Sequence, residues 1–136
     1  MNKFKVINTV ILLLFATAVP GVQAACTGEI EDVATMLNFG DSTGSYVGIC
    51  AEGGSLDGAR NEERICNGLN GKLTSAVEKM DQGKVADADK KLANFEETIG
   101  SLAFRKKAKI SMTDYSNLNG SLQTARACVT PLLPVE

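Results

Sequence analysis

Histidine and tryptophan are absent from this 136-residue chain, and two tyrosines and five phenylalanines are its only aromatics. Without histidine, the usual base that activates a serine, threonine or cysteine nucleophile is missing. No motif marks the remaining option, a Ser–Lys arrangement. The four cysteines contain no CxxC pair, so the close ligand spacing of zinc sites and the CxxCH of haem attachment are also lacking. Asp41, Glu52 and Asp57 share one segment, but not at the Asp-x-Asp-x-Asp-Gly spacing of an EF-hand loop, and turn formation explains them. No cofactor box stands out, and the apolar stripes read as core. Proline is confined to Pro20, Pro131 and Pro134.

Only one long apolar run exists, from Val10 to Val19, and it has the setting of a secretory signal. Lys3 and Lys5 precede it, Pro20-Gly21 is expected to break it, and Val22-Gln23-Ala24 supplies small residues at −3 and −1 of a cleavage site. The run falls short of the roughly 20 residues of a spanning helix. Cys26 raises the alternative of lipidation, but Gln23 stands where a lipobox has an aliphatic residue. The expectation is a signal peptide over 1–24, cut after Ala24, and a single domain over 25–136, periplasmic or secreted, with no transmembrane segment in the mature chain. Removing Lys3 and Lys5 from the 14 basic residues leaves 12 against 16 acidic ones, a net charge of −4. That balance disfavours nonspecific nucleic-acid binding, which rests on phosphate neutralisation.

Four segments step at helical spacing. The first spans 28–38, with Ile30, Val33, Ala34 and Leu37 on one face, Thr27 as cap and Gly40 as stop. Residues 39–60 form a glycine-rich loop with six glycines, at 40, 44, 48, 53, 54 and 58, and a short extended piece at Tyr46–Ile49. Loops of this length in compact domains are often functional. The second helix covers 61–81 (Ile65, Leu69, Leu73, Ala76, Met80) and ends at Gly83 in the left-handed position. The third covers 85–104, with Val85, Ala88, Leu92, Phe95, Ile99 and Leu102 alternating steps of three and four. The fourth begins with Ser111 and Asp114 as a capping box and Ile110–Tyr115 as a staple. Its apolar face is Tyr115, Leu118, Leu122, Ala125 and Val129. The fold class is therefore all-α: a small antiparallel bundle of three to four helices, with a glycine-rich loop and two disulfides.

Four cysteines, all beyond the signal, allow three pairings. In an up-down-up-down bundle Cys26 and Cys128 share one end, and Cys50 and Cys66 share the other. A bridge tolerates Cα atoms only about 4.4–6.8 Å apart, and a helix of some 18 residues spans roughly 27 Å. The expected pairs are Cys26–Cys128 and Cys50–Cys66.

Residues 69–129 carry a resemblance. Leu69, Lys72-Leu73, Met80-Asp81-Gln82-Gly83-Lys84, Ala88, Leu92, Phe95, Ile99, Lys109-Ile110-Ser111, Leu118 and Ala125 follow one another in an order similar to that of the FIMAH domain, a helical module of bacterial extracellular proteins. The Gly83-Lys84 turn, in register with Leu92-Ala93-Asn94-Phe95 and Lys109-Ile110-Ser111, is the distinctive part. The resemblance implies a three-helix module over 61–129 and an extracellular setting, and it brings no catalytic role. This chain differs in being nearly the module alone, with a cysteine-bearing N-terminal segment added.

Arg105, Lys106, Lys107 and Lys109 form the only basic cluster. They suit the negative end of the third helix, and they are also the candidate patch for an anionic surface or glycan. Phe104 is the sole aromatic beside them. Two roles follow as expectations. One is an exported, non-catalytic module that binds a protein or an anionic surface. The other is a periplasmic inhibitor or stress-type protein acting on an envelope enzyme or toxin. A rigid, disulfide-locked loop would favour the second, because preorganisation lowers the cost of binding.

Overall fold

The computed structural model describes residues 20–41 and 43–134. Residues 1–19 of the expected 1–24 signal lie outside them, and its last five, 20–24, are helical, so Pro20-Gly21 does not break the helix as expected. Four α-helices follow in order: α1 (Pro20–Asn38), α2 (Glu62–Asp81), α3 (Val85–Phe104) and α4 (Met112–Val129), the last continued by a 3-10 turn, Thr130–Leu132. α1 packs mainly on α4, and α2 mainly on α3. Contacts of α1 with α2 and of α3 with α4 close the ring, giving an antiparallel four-helix arrangement around one core.

Each helix buries the stripe its sequence spells. Leu69, Leu73, Ala76 and Met80 face inward from α2, and Leu118, Leu122, Ala125 and Val129 from α4. On α3 the stripe is Val85, Ala88, Leu92, Phe95 and Ile99, and it closes on Ala103 instead of the expected Leu102, which is only half-buried. Phe95 is the largest fully buried side chain.

The start of α1 corrects the sequence reading. The helix already runs from the first described residue, Pro20, eight residues before Gly28, so Thr27 lies inside it instead of capping it. Cys26 belongs to the apolar stripe: Cys26, Ile30, Val33 and Leu37 step by four, three and four, and all are fully buried. A cysteine packs as a small hydrophobe, and counting Cys26 only as a staple hid the extra turns.

Helix ends follow local chemistry. At the α2–α3 turn Gly83 has φ +75°, its N–H donates to the Met80 carbonyl, and the Lys84 N–H donates to Lys79. These two bonds and the left-handed glycine make a Schellman closure. At α4 the Ser111 hydroxyl accepts from the Asp114 N–H at 3.0 Å, while the Ser111 N–H donates to the Asp114 carboxylate at 3.2 Å. The capping box is complete.

Both disulfides form as the up-down order requires. Cys26–Cys128 joins the start of the bundle to its end, with Cα atoms 5.4 Å apart, and Cys50–Cys66 joins the loop to α2 at 5.9 Å. No cysteine is free.

Candidate functional site

One end of the bundle carries the C-termini of α1 and α3, the N-termini of α2 and α4, the 39–61 loop and the 105–111 turn. Two links tie these pieces together. The Ser55 hydroxyl donates to the Asp114 carboxylate, joining the loop to the start of α4, and the Cys50–Cys66 bridge joins the loop to α2.

The loop is a folded element. Ile49 and Leu56 are fully buried in the core. The Cys50 N–H donates to the Leu37 carbonyl at 3.0 Å, and the Leu56 N–H to Ile49 at 3.1 Å. The expected extended piece is reduced to a single antiparallel bridge between Gly40 and Val47. Gly54 has a steric reason to be glycine, since a Cβ there would stand 2.0 Å from the Gly48 carbonyl oxygen. The acidic side chains support turns. Asp41 accepts from the Ser45 hydroxyl at 2.5 Å and the Tyr46 N–H at 3.2 Å. The Ser45 bond first, and the backbone bonds with it, hold its carboxyl below the usual range. Asp57 accepts from the Gly53 N–H at 2.8 Å, and Glu62 from the Gly58 N–H at 3.0 Å. Among the described residues no three potential ligands gather into a metal cluster.

Tyr46 is 6 % exposed, and its hydroxyl has no hydrogen-bond partner. Burial pushes its phenol up to about 12, with the Asp114 charge adding to the rise and the Ile49 backbone opposing it.

The basic cluster sits at this end too, in the turn from α3 to α4. Arg105, Lys106, Lys107 and Lys109 are all exposed. Ile110 is 4 % exposed and plugs into the core, while the Lys109 N–H donates to the Leu102 carbonyl at 2.8 Å. The turn is therefore fixed from beneath and its cations point outward. Arg105 also reaches an open groove of about 620 Å³ between α2 and α3, where Arg64 and Lys72 join it and Glu97 is the one acidic residue. The sequence reading missed Arg64 and Lys72. Their signal is a polar stripe, Arg64-Gly68-Lys72 at steps of four, facing Thr98, Ser101 and Arg105 at steps of three and four; Gly68 leaves the space open. A smaller groove of about 220 Å³ between α1 and α2 has an apolar floor with Glu31 and Glu78, and no cation.

Ion pairing is sparse throughout the described residues, and Arg60, Lys79, Lys84, Lys90 and Lys91 are unpaired as well. Among the described residues only Arg126 is ion-paired, 3.4 Å from Asp89 and 2.7 Å from Glu96, at mid-bundle. Arg64, Lys72, Arg105, Lys106, Lys107 and Lys109 form no such pair. Among the described residues four large apolar side chains are exposed, and all four lie at this same end: Phe39 and Val47 on the loop side, Phe104 and Met112 flanking the basic turn. The Phe104 ring meets Tyr115 edge-on at 4.8 Å. None of the described helices is long and apolar enough to cross a membrane, and a fold closed by two disulfides is compatible with an exported protein. No family model, no curated protein and no solved structure matches the chain.

Proposed function

We propose that this protein is an exported, non-catalytic interaction module that engages an anionic partner through the cationic end of its bundle. The observation that carries the reading is the set of six cations, Arg64 and Lys72 on α2 and Arg105, Lys106, Lys107 and Lys109 in the 105–109 turn, that face solvent or the open groove and form no ion pair. Three cations against the single carboxylate of Glu97 leave the groove net positive, and a cationic cleft with low-dielectric walls concentrates its field on an incoming anion. The resemblance of residues 69–129 to an extracellular helical module and the signal-like N-terminus support an extracytoplasmic setting, periplasmic or secreted.

The test is binding of a soluble polyanion, inorganic polyphosphate, across a salt series. The Lys106→Gln, Lys107→Gln, Lys109→Gln variant should bind more weakly and show a shallower salt dependence, with unchanged helical circular dichroism. Polyphosphate binding that ignores both salt and these lysines would refute the reading.

A specific observation favours a second role, inhibition of an envelope enzyme or toxin. The 39–61 loop is preorganised: Ile49 and Leu56 pin it to the core, Cys50–Cys66 ties it, and Phe39 (77 % exposed) stands out at its base. A rigid loop with an exposed aromatic anchor suits insertion into a cleft. The two roles separate on Phe39→Ser, which should abolish inhibition and leave polyanion binding intact.

A further inference from the structure

We infer that the anionic partner is a phospholipid surface, on which the 104–112 turn docks end-on with Phe104 and Met112 entering the headgroup layer. The inference rests on the anion-binding reading above and adds the chemical class of partner. Two independent features of the turn carry it. The first is charge. From Thr98 to Thr113 no acidic residue occurs, and Arg105, Lys106, Lys107 and Lys109 fall within five positions, all exposed and unpaired. The second is apolar exposure. Phe104 is 61 % and Met112 53 % exposed, one on each side of those cations, and Ala108 between them is exposed as well.

A soluble polyanion would use the charges and leave the two apolar side chains in water. A bilayer interface uses both, because its anionic headgroups attract the cations while its acyl boundary takes up the apolar tips. The turn is also stiff enough to act as a wedge. Ile110 is buried beneath it, the Leu102 carbonyl holds the Lys109 N–H, Tyr115 backs Phe104, and the capping box of α4 closes its far side. Several acidic groups of this end are already engaged, while Glu52 and Glu63 are exposed on the loop and at the start of α2. Asp114 is engaged by Ser111 and Ser55, and Asp57 and Glu62 serve the loop.

The absence of tryptophan gives a clean test. Phe104→Trp places a single fluorophore at the proposed contact, and Gln82→Trp places one at the opposite end of the bundle. With phosphatidylcholine vesicles containing phosphatidylglycerol, the fluorophore at 104 should shift to the blue and be quenched by brominated acyl chains. The one at 82 should do neither, and vesicles of phosphatidylcholine alone should produce no change. Each cation near an anionic surface contributes about a factor of five, so the triple lysine-to-glutamine variant should bind these vesicles roughly 100-fold more weakly. Met112→Gln should weaken vesicle binding several-fold and leave polyphosphate binding unchanged. Ala108→Trp, at an exposed position, should strengthen vesicle binding alone. Equal binding to both vesicle types, or a fluorophore at 104 no better quenched than the one at 82, overturns the inference. If vesicles fail while polyphosphate still binds through the three lysines, the lipid falls and the anion-binding reading stands. If neither binds, both fall.

Discussion

Removing the Cys26–Cys128 bridge should cost this protein more than removing Cys50–Cys66, even though the second bridge holds the more irregular segment. The reason lies in the unfolded chain. A crosslink withdraws conformations from the denatured ensemble in proportion to the logarithm of the loop it closes. The two bridges span 102 and 16 residues. At 25 °C the chain-entropy relation gives about 4.7 kcal/mol for the long loop and about 3 kcal/mol for the short one. A domain of this size is stable by only about 5–15 kcal/mol, so the first loss alone is a large part of the total. The native ends of α1 and α4 should stay in place, because Ile30, Val33 and Leu37 still pack against the core.

The assay is guanidinium unfolding of Cys26→Ala/Cys128→Ala and Cys50→Ala/Cys66→Ala, followed by helical circular dichroism. The long-loop variant should show the lower midpoint. Its m-value should also rise, because an uncrosslinked denatured chain exposes more surface. Native helicity should match the parent in both variants. An unchanged m-value together with lost native helicity would refute the reasoning. That result would place the effect in the folded state, in the attachment of α1.

Tyr46→Phe removes a buried hydroxyl that has no partner and should raise stability at neutral pH by about 1 kcal/mol. In the parent, the phenol ionises near 10 when unfolded and near 12 when folded. Stability from this group is therefore fully present below pH 10 and is lost as pH rises toward 12, a decline that Tyr46→Phe should flatten in denaturation midpoints measured across that window. Phe95→Ala should cost about 3–5 kcal/mol, since the ring is fully buried at the centre of the α3 stripe; a midpoint shift worth under 1 kcal/mol would mean the core is misassigned. Gly54→Ala should destabilise the loop, because the new methyl meets the Gly48 carbonyl, and hydrogen exchange should rise at Leu56 before it rises in α3. Ser111→Ala should cost about 1 kcal/mol through the lost cap. Asp114→Ala should cost more, since Asp114 also holds Ser55 and thereby the loop; equal losses in thermal unfolding would count against that link.

Local pattern carried the helices. The three-four stepping of α2, α3 and α4, the Gly83 closure and the Ser111–Asp114 cap each depend on residues within one turn of one another, so they were legible in the chain. So was the disulfide pairing, because an up-down order leaves each cysteine only one neighbour within bridging distance. The first turns of α1 were not legible. Pro20-Gly21 reads as a break in isolation, and only packing against the rest of the core shows Cys26 to be one more step of the apolar stripe. The loop was legible as glycine-rich but not as folded, since the burial of Ile49 and Leu56 depends on what the helices leave open beneath them.

The candidate surface divides in the same way. Arg105, Lys106, Lys107 and Lys109 are contiguous, so sequence alone determined that cluster. Arg64 and Lys72 lie far from it along the chain and reach the same groove only because α2 and α3 run antiparallel. The exposure of Phe104 and Met112 is also a tertiary result. Ile110, between them in sequence, is taken by the core and turns its neighbours outward. Sequence determined which side chains are apolar and which are charged. The packing of four helices decided which apolar ones were left over, and it placed them at the end that carries the basic turn.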